Sequence, residues 1–472
     1  MTRILVSTLV LAAGLAACMH IPVTEADLAA PAETGLKVDV HEGDFATIQQ
    51  FVTPGGASVW LVSEPSIPIV SLDMAWKGGD AADPEGLEGL AEAVTYHMNE
   101  GAGDLDSLAF QTRMEDLNMS FGCESDNDWT SCSASMLTEN AADAMDLIAL
   151  AFAEPRFDDG PFERFCREQQ VGLETRETSA GYLAWRARSQ ALYPDHPYAR
   201  EESAESVAAL TPELAREHMR KLMVKDRLLV TAVGDITPEE LAPMIDEVIA
   251  SLPESSDLPA TPEIVFPALD APATVEVDLP QPQTLVQFFV PGLKRDNPDF
   301  FPAYVLNYTY GGGGFDSRLM QVLRVQQGLT YGIYTGIDPD EHFANWSGSG
   351  QTKNESAGAF IDGIKAEMED FVENGVSEEE LADAKAYLTG SYPLGFDSNA
   401  KIAGQLMGVR QEKLGIDYFD KRNAMVNAVT LEDVDRVASE YLQPSKYFFV
   451  AVGQPQGLAP AEAADAAPAA AE

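Results

Sequence analysis

Two stretches of this 472-residue chain run in the same order at the same spacing. Thr211-Pro-Glu-Leu is followed 23 residues later by Gly234 in Ala-Val-Gly, and Thr430-Leu-Glu-Asp is followed 23 residues later by Gly453, again in Ala-Val-Gly. The offset is 219 residues at both ends of the unit. Each Thr reads as an N-cap, its hydroxyl accepting an otherwise unpaired N–H of the first helical turn. Each Ala-Val-Gly closes a buried strand. A repeat this long means a duplicated domain and excludes a solenoid of short units. Strands cluster with helices, as in Ser58–Val62 and Val70–Trp76 before the helices around Ala141–Ala153 and Pro212–Leu222, without βαβ alternation. The expected fold is therefore α+β, two homologous domains, each a mostly antiparallel sheet with helices packed on one face.

The ends are different in kind. Arg3 precedes a largely apolar run from Ile4 to Ala17, 14 residues, too short to span a bilayer comfortably. It ends Leu15-Ala16-Ala17-Cys18, which resembles a bacterial lipobox. Residues 1–17 are expected to be a signal peptide, Cys18 a lipidation site and 18–36 a tether. That implies export to the periplasmic face of a bacterial membrane, with a lipid anchor; an ordinary signal peptide with a chance Cys is the alternative. The first domain is assigned to 37–250, a linker rich in Pro, Ser and Asp to 251–273, the second domain to 274–456, and an Ala/Pro/Glu tail, expected to be disordered, to 457–472. Asp and Glu number 76 against 30 Lys and Arg, a net charge of −46, which repels nucleic acid. Plain solubility accounts for that excess, and attraction of basic peptides to an acidic chamber is the sharper alternative.

The stretch Gly89–Gly103 carries the most chemistry. Leu87, Leu90, Ala91, Val94 and Met98 make one apolar stripe at helical period, and Gly101 and Gly103 supply a stop. Gly89-Leu90-Ala91 resembles the lead-in to His-x-x-Glu-His in the insulinase-type (pitrilysin-like) zinc peptidases. There, two histidines on one helix face bind zinc and the Glu polarises the attacking water. Laid on that lead-in, the first ligand slot holds Glu92, the base slot Thr95 and the second ligand slot Tyr96. Shifted by one residue, the slots hold Ala93, Tyr96 and His97. Neither register keeps more than one of the three groups, whereas catalytic zinc needs three protein ligands and a water. Glu174 lies near the place of the family's third ligand, a downstream Glu, and otherwise reads as a solvated helix face. The resemblance covers about Lys37 to Gln456 and implies a clamshell of two homologous halves without catalysis by this chain alone.

The second half keeps one functional signal. Arg324 and Tyr331, in Arg-x6-Tyr, match the family's Arg/Tyr pair, which faces the zinc site from the other half of the clamshell. A guanidinium and a phenol can donate to a peptide carbonyl or to the oxyanion that develops on it. On spacing alone Tyr331 shares a strand face with Leu329 and Ile333 and reads first as core. Tyr310 is followed by Gly311, Gly312, Gly313 and Gly314, a glycine loop between two helices, the second running from Ser317 to Arg324 with Asp316 or Ser317 as its cap. No Gly-Lys-Ser/Thr follows, so it is no phosphate cradle. A comparable loop in the non-catalytic subunit of the mitochondrial processing peptidase is tied to substrate handling.

The resemblance thus implies a pseudo-peptidase subunit with no cofactor of its own. Its partners would be a homologous zinc-bearing subunit and an unfolded peptide substrate. Two alternatives stand beside it: a metallopeptidase with a rearranged site drawn from Glu92, His97 or Glu100, and a non-enzymatic periplasmic lipoprotein that reuses the fold. Cys123 and Cys132 flank the turn-prone Asn127-Asp128 and would face each other across a hairpin, free to pair after export. Cys166 reads as a small core residue on an amphipathic helix.

Overall fold

The computed structural model describes residues 35–267 and 273–458. The expected signal peptide, Cys18, most of the tether and most of the Ala/Pro/Glu tail lie outside the described residues. Among the described residues, no helix is long and apolar enough to cross a membrane.

Strands β1 (Val38–Glu42), β2 (Thr47–Val52), β3 (Ser58–Ser63), β4 (Ile69–Lys77), β5 (Ser120–Ser125), β6 (Trp129–Leu137) and β7 (Leu228–Gly234) form one sheet in the order β1-β2-β3-β7-β4-β6-β5. Strands β8 (Ala273–Asp278), β9 (Gln283–Pro291), β10 (Thr330–Pro339), β11 (Ala344–Lys353) and β12 (Phe448–Gly453) form the other in the order β10-β11-β9-β12-β8. Read from the other edge, β8-β12-β9-β11-β10 repeats β3-β7-β4-β6-β5 strand for strand. Both sheets are antiparallel except at one matching pair, β3 with β7 and β8 with β12. The duplication legible in the sequence is thus a duplication of topology.

The repeat's end markers have physical causes. Thr211 Oγ1 accepts the Leu214 N–H at 3.2 Å, and Thr430 Oγ1 accepts that of Asp433 at 3.2 Å, with the Asp433 carboxylate returning to the Thr430 N–H. Gly234 and Gly453 both take φ of 150°, and a Cβ at Gly234 would sit 2.1 Å from the Ile69 carbonyl oxygen. Only glycine passes that closely under the neighbouring strand.

Each half packs its own helices against one face of its sheet. A helix from the other half packs on the opposite face. Helix Ala180–Leu192 places Leu183, Ala184 and Leu192 against Leu285, Phe289 and Val450 of the second sheet. Helix Asn399–Gln411 places Ala403, Leu406 and Val409 against Ile48, Trp60 and Val233 of the first. The two helices are themselves 219 residues apart at both ends, so the exchange is reciprocal. Polar ties seal it: Thr231 Oγ1 donates to the Ala403 carbonyl at 3.0 Å, and the Arg410 guanidinium donates to the Ser58 and Val230 carbonyls. At about 1.5–3 kcal/mol for each large apolar side chain buried, this crossing holds the halves together as one body.

Cys123 and Cys132 stand opposite each other in β5 and β6 and form a disulfide. Local expectations shift in three places. The helix after Gly89 spans Leu90–His97 and ends before Gly101 and Gly103, which take positive φ in the following loop. The segment after Ser317 winds as a wide π-type helix over Met320–Gln326, and the Ser317 hydroxyl donates to the Gly314 carbonyl at 2.8 Å instead of capping. Cys166 is half-buried, with its Sγ 3.9 Å from the Val207 carbonyl, at the margin of the core rather than inside it.

Candidate functional site

Gly89 offers no side chain to cap the Leu90–His97 helix, so a remote residue does it. The buried Asp83 carboxylate accepts the N–H groups of Gly89, Leu90 and Ala91, each at 2.9 Å. Its other neighbour is His218 Nε2 at 3.0 Å, also buried. This pair fixes the position of the helix that corresponds to the family's zinc helix. Sequence reasoning passed over both residues, because an acid and an imidazole far apart in the chain give no local pattern.

The helix buries Leu90, Ala91, Val94 and Met98 of its stripe, while Leu87 precedes the helix and is half-buried. Glu92 and Tyr96 face away from the stripe and meet the long helix Asp159–Arg176. Gln169 Nε2 donates to Glu92 Oε1 at 2.7 Å. The Tyr96 hydroxyl donates to Glu168 at 3.2 Å and accepts from Arg164 Nε at 3.0 Å, and Arg164 also pairs with Glu100 at 2.7 Å. Thr95 is buried and its hydroxyl donates to the Glu92 carbonyl, so it is not free to polarise a water. Glu174 is exposed on the same long helix, and the residue that reaches the first slot is Gln169, five residues earlier. Only the direction of each side chain from a helix not yet placed would have told Gln169 from Glu174.

These groups do not fit a zinc ion. The slots present one carboxylate, an amide, a phenol and a guanidinium, and the guanidinium repels a cation. Among the described residues, no group of three or more His, Cys, Asp or Glu side chains could hold a metal. The rearranged site fails on geometry as well. His97 is fully buried among Phe157, Phe162 and Phe165, its Nδ1 lies 2.6 Å from the Ala93 carbonyl, and burial pushes its pKa down. Glu100 is engaged by Arg164 and by the Ser107 hydroxyl at 2.6 Å.

What remains above the helix is a small acidic cavity of about 340 Å³, walled by the first half alone, including Asp80, Glu92, Arg176 and Glu202. Burial pushes Glu92 up to about 7, with repulsion from Glu202 adding to it and the Gln169 hydrogen bond opposing it. Burial also pushes Asp80 up to about 7, against a hydrogen bond from Ser125. Arg176 offsets part of this charge through Glu202 at 2.7 Å.

Arg324 and Tyr331 do come together. The Arg324 guanidinium lies 4.6 Å from the centre of the Tyr331 ring and 4.4 Å from that of Phe315. Tyr331 is 84% exposed, although Ile333 on the same alternation is fully buried. A break in register between Thr330 and Ile333, where β10 pairs with β11, turns the phenol out, so the core alternative for Tyr331 is overturned. Among the described residues, the Arg324 guanidinium makes no hydrogen bond or ion pair. Neither residue lines the Glu92 cavity. This chain therefore does not bring the Arg/Tyr pair to its own degenerate zinc helix.

The glycines after Tyr310 answer to packing. A Cβ at Gly311 would fall 2.5 Å from Thr335 Oγ1, and one at Gly312 would fall 2.5 Å from Asn307 Nδ2. Asn307 Oδ1 in turn accepts from Thr335 Oγ1 at 2.7 Å and from the buried Trp346 Nε1 at 2.8 Å. Gly314 alone is open, with φ of 61°.

The sequence profile described as Insulinase (Peptidase family M16) matches residues 58–202, and that described as Peptidase M16 inactive domain matches 209–388. The chain is 26% identical to the "Non-peptidase homolog YmxG" of Helicobacter pylori over 70% of its own length and 76% of the relative's. It is 22% identical to a protein named an uncharacterized zinc protease from Streptomyces coelicolor, over 89% and 92% of the two chains. The crystal structure of a peptidase M16 inactive domain from Pseudomonas fluorescens superposes with a TM-score of 0.80 at 27% identity, covering 88% of this chain and all of that one.

Proposed function

Because this chain is a member of the insulinase (M16) peptidase family, and an inactive one, we propose that it serves as the non-catalytic subunit of a heterodimeric zinc peptidase. In this reading a homologous partner brings the zinc, and Arg324 and Tyr331 are lent to that partner's site. The observation that carries it is the contrast between the two halves. The residues in the zinc slots are engaged by the helix Asp159–Arg176, while Tyr331 stands exposed and the half-buried Arg324 stacked on it makes no hydrogen bond or ion pair among the described residues.

The chemistry follows from the two donors. A guanidinium and a phenol side by side can each donate to the carbonyl of a bound peptide, and more strongly to the oxyanion that forms on it. Stacking of Arg324 on Tyr331 keeps both in one orientation before substrate arrives. The acidic character of the chain supports unfolded peptides of basic character as substrates. A second cavity, of about 670 Å³ and lined in part by Asp126, Asp128, Asp340 and Glu341 from both halves, has the same sign. Anchoring through Cys18 on the periplasmic face of a bacterial membrane belongs to the same proposal.

The test is reconstitution. The purified chain should cleave no peptide alone and should raise the activity of a co-purifying homologue that carries His-x-x-Glu-His. Arg324→Ala should then lower kcat by about 100-fold, the scale seen when one oxyanion donor is removed. An unchanged rate with Arg324→Ala would remove the proposed role. Co-purification only with proteins lacking a zinc motif would favour a non-enzymatic assembly function.

A further inference from the structure

A pocket in the second half gathers two guanidinium groups with no carboxylate at ion-pair distance among the described residues. It has a volume of about 490 Å³, within the range of small-molecule sites. Two of its walls are guanidinium groups, Arg295 and Arg422. Arg422 is only 5% exposed, yet among the described residues it has no carboxylate within ion-pair distance. It donates to the Leu388 carbonyl at 2.7 Å, to Asn423 Oδ1 at 2.8 Å and to the Tyr304 hydroxyl at 3.4 Å. Arg295 donates to the Tyr418 hydroxyl at 2.6 Å, and its Nη1 is buried with no acceptor.

Buried guanidinium groups are ordinarily paired or fully hydrogen-bonded. Arg410, on the neighbouring helix, follows that rule and spends its protons on the Ser58 and Val230 carbonyls and the Ser58 hydroxyl. Arg295 does not follow it, its Nη1 having no acceptor, in a chain where acids outnumber bases 76 to 30. The one carboxylate in the pocket wall, Glu412, lies beyond ion-pair distance; burial raises its pKa, and the charge of Arg295 opposes that rise. An anion that reaches Arg295 would supply the acceptor its guanidinium lacks.

The rest of the wall says what carries the anion. The Arg295 guanidinium stacks 3.8 Å from the Phe300 ring centre, and that of Arg422 stacks 4.2 Å from Tyr392. The floor is the face of helix Asn399–Gln411 that presents Gly404 and Gly408, one turn apart. Each glycine inside a helix costs about 1 kcal/mol against alanine. Here no close packing asks for it: a Cβ at Gly408 would meet nothing within 4 Å, and one at Gly404 only Asp73 Oδ2 at 3.9 Å. A flat, side-chain-free floor between aromatic walls, with two cations at its edge, suits a planar ring bearing a carboxylate.

We propose that this pocket binds an aromatic carboxylate, presented either by a free aromatic acid or by the C-terminal residue of a peptide. The ring lies over Gly404 and Gly408, and the carboxylate takes the open protons of Arg295 and the charge of Arg422. This site is separate from the Arg324–Tyr331 pair and does not depend on the peptidase role.

The experiment is calorimetric titration of the purified chain with N-acetyl-phenylalanine, with the tripeptide Gly-Gly-Phe, with N-acetyl-phenylalaninamide and with acetate. Binding of the first two is expected, and loss of at least tenfold in affinity for the amide and for acetate. The acid and the tripeptide distinguish the two sources by which binds more tightly. A Cβ at Gly408 meets nothing within 4 Å, so Gly408→Leu should fold and fill the floor, lowering affinity at least tenfold. Arg295→Gln should lower affinity for the acid and leave affinity for the amide unchanged. No binding of either acid at millimolar concentration, equal binding of the amide, or undiminished binding by a folded Gly408→Leu variant would each overturn the proposal.

Discussion

Glu92 stands in the first ligand slot, and its surroundings give it a pH signature. Its pKa rises from an ordinary 4.5 to about 7 in the fold, and that of Asp80 rises from 3.8 to about 7. A carboxyl group raised in the folded state holds its proton there while the unfolded chain has lost it. Stability therefore falls as pH climbs from about 4.5 to about 7 and is flat above. Glu92→Gln should add about 1–2 kcal/mol at pH 8 and nothing at pH 4.5, read by denaturant unfolding at both values. Asp83 has the opposite importance. Asp83→Ala removes the acceptor for three helix N–H groups and strands buried His218, and should cost about 3 kcal/mol in the same measurement. Residues of this kind mark the limit of what the sequence discloses. The loss of the imidazoles was plain from Glu92 and Tyr96. The amide that engages Glu92 was not, because whether Gln169 or Glu174 reaches it depends on which side of a packed helix each occupies. Tyr331 alternated with Leu329 and Ile333 as a core residue should, and only the register break in β10 freed it.

Elements with strong local signals formed where periodicity placed them. The helix Ala141–Ala153 and the helix Pro212–Leu222 have the bounds their apolar spacing and caps predict. The exchanged helices were invisible by the same logic. Asn399–Gln411 carries Gly404, Gly408 and a scatter of polar residues, and the surface that orders it belongs to a sheet more than 150 residues away in sequence. Its energetic weight is testable. Leu406 is fully buried against the first sheet, so Leu406→Ala should cost about 2–4 kcal/mol, with unfolding still a single transition across both halves. Two separate transitions would mean that the crossing does not couple them. The hairpin disulfide acts differently, by restricting the unfolded chain. Cys123→Ser with Cys132→Ser should lower stability by about 2–3 kcal/mol, and a reductant should have the same effect on the unsubstituted chain.

At the scale of the whole molecule, the duplication was legible because caps and strand ends recur at one offset, and the matching strand orders follow from it. What no single sequence discloses is a second chain. The Arg324–Tyr331 pair and the degenerate helix are not brought together here, so the proposed role needs another subunit to complete it. That role rests on the first half being unable to hold zinc. Equilibrium dialysis of the purified chain against micromolar zinc measures this directly. The slots as built, with Arg164 and Gln169 engaging Tyr96 and Glu92, predict far less than one bound ion per chain, unchanged by Glu92→Ala. One tightly bound zinc per chain, lost on Glu92→Ala, would contradict it.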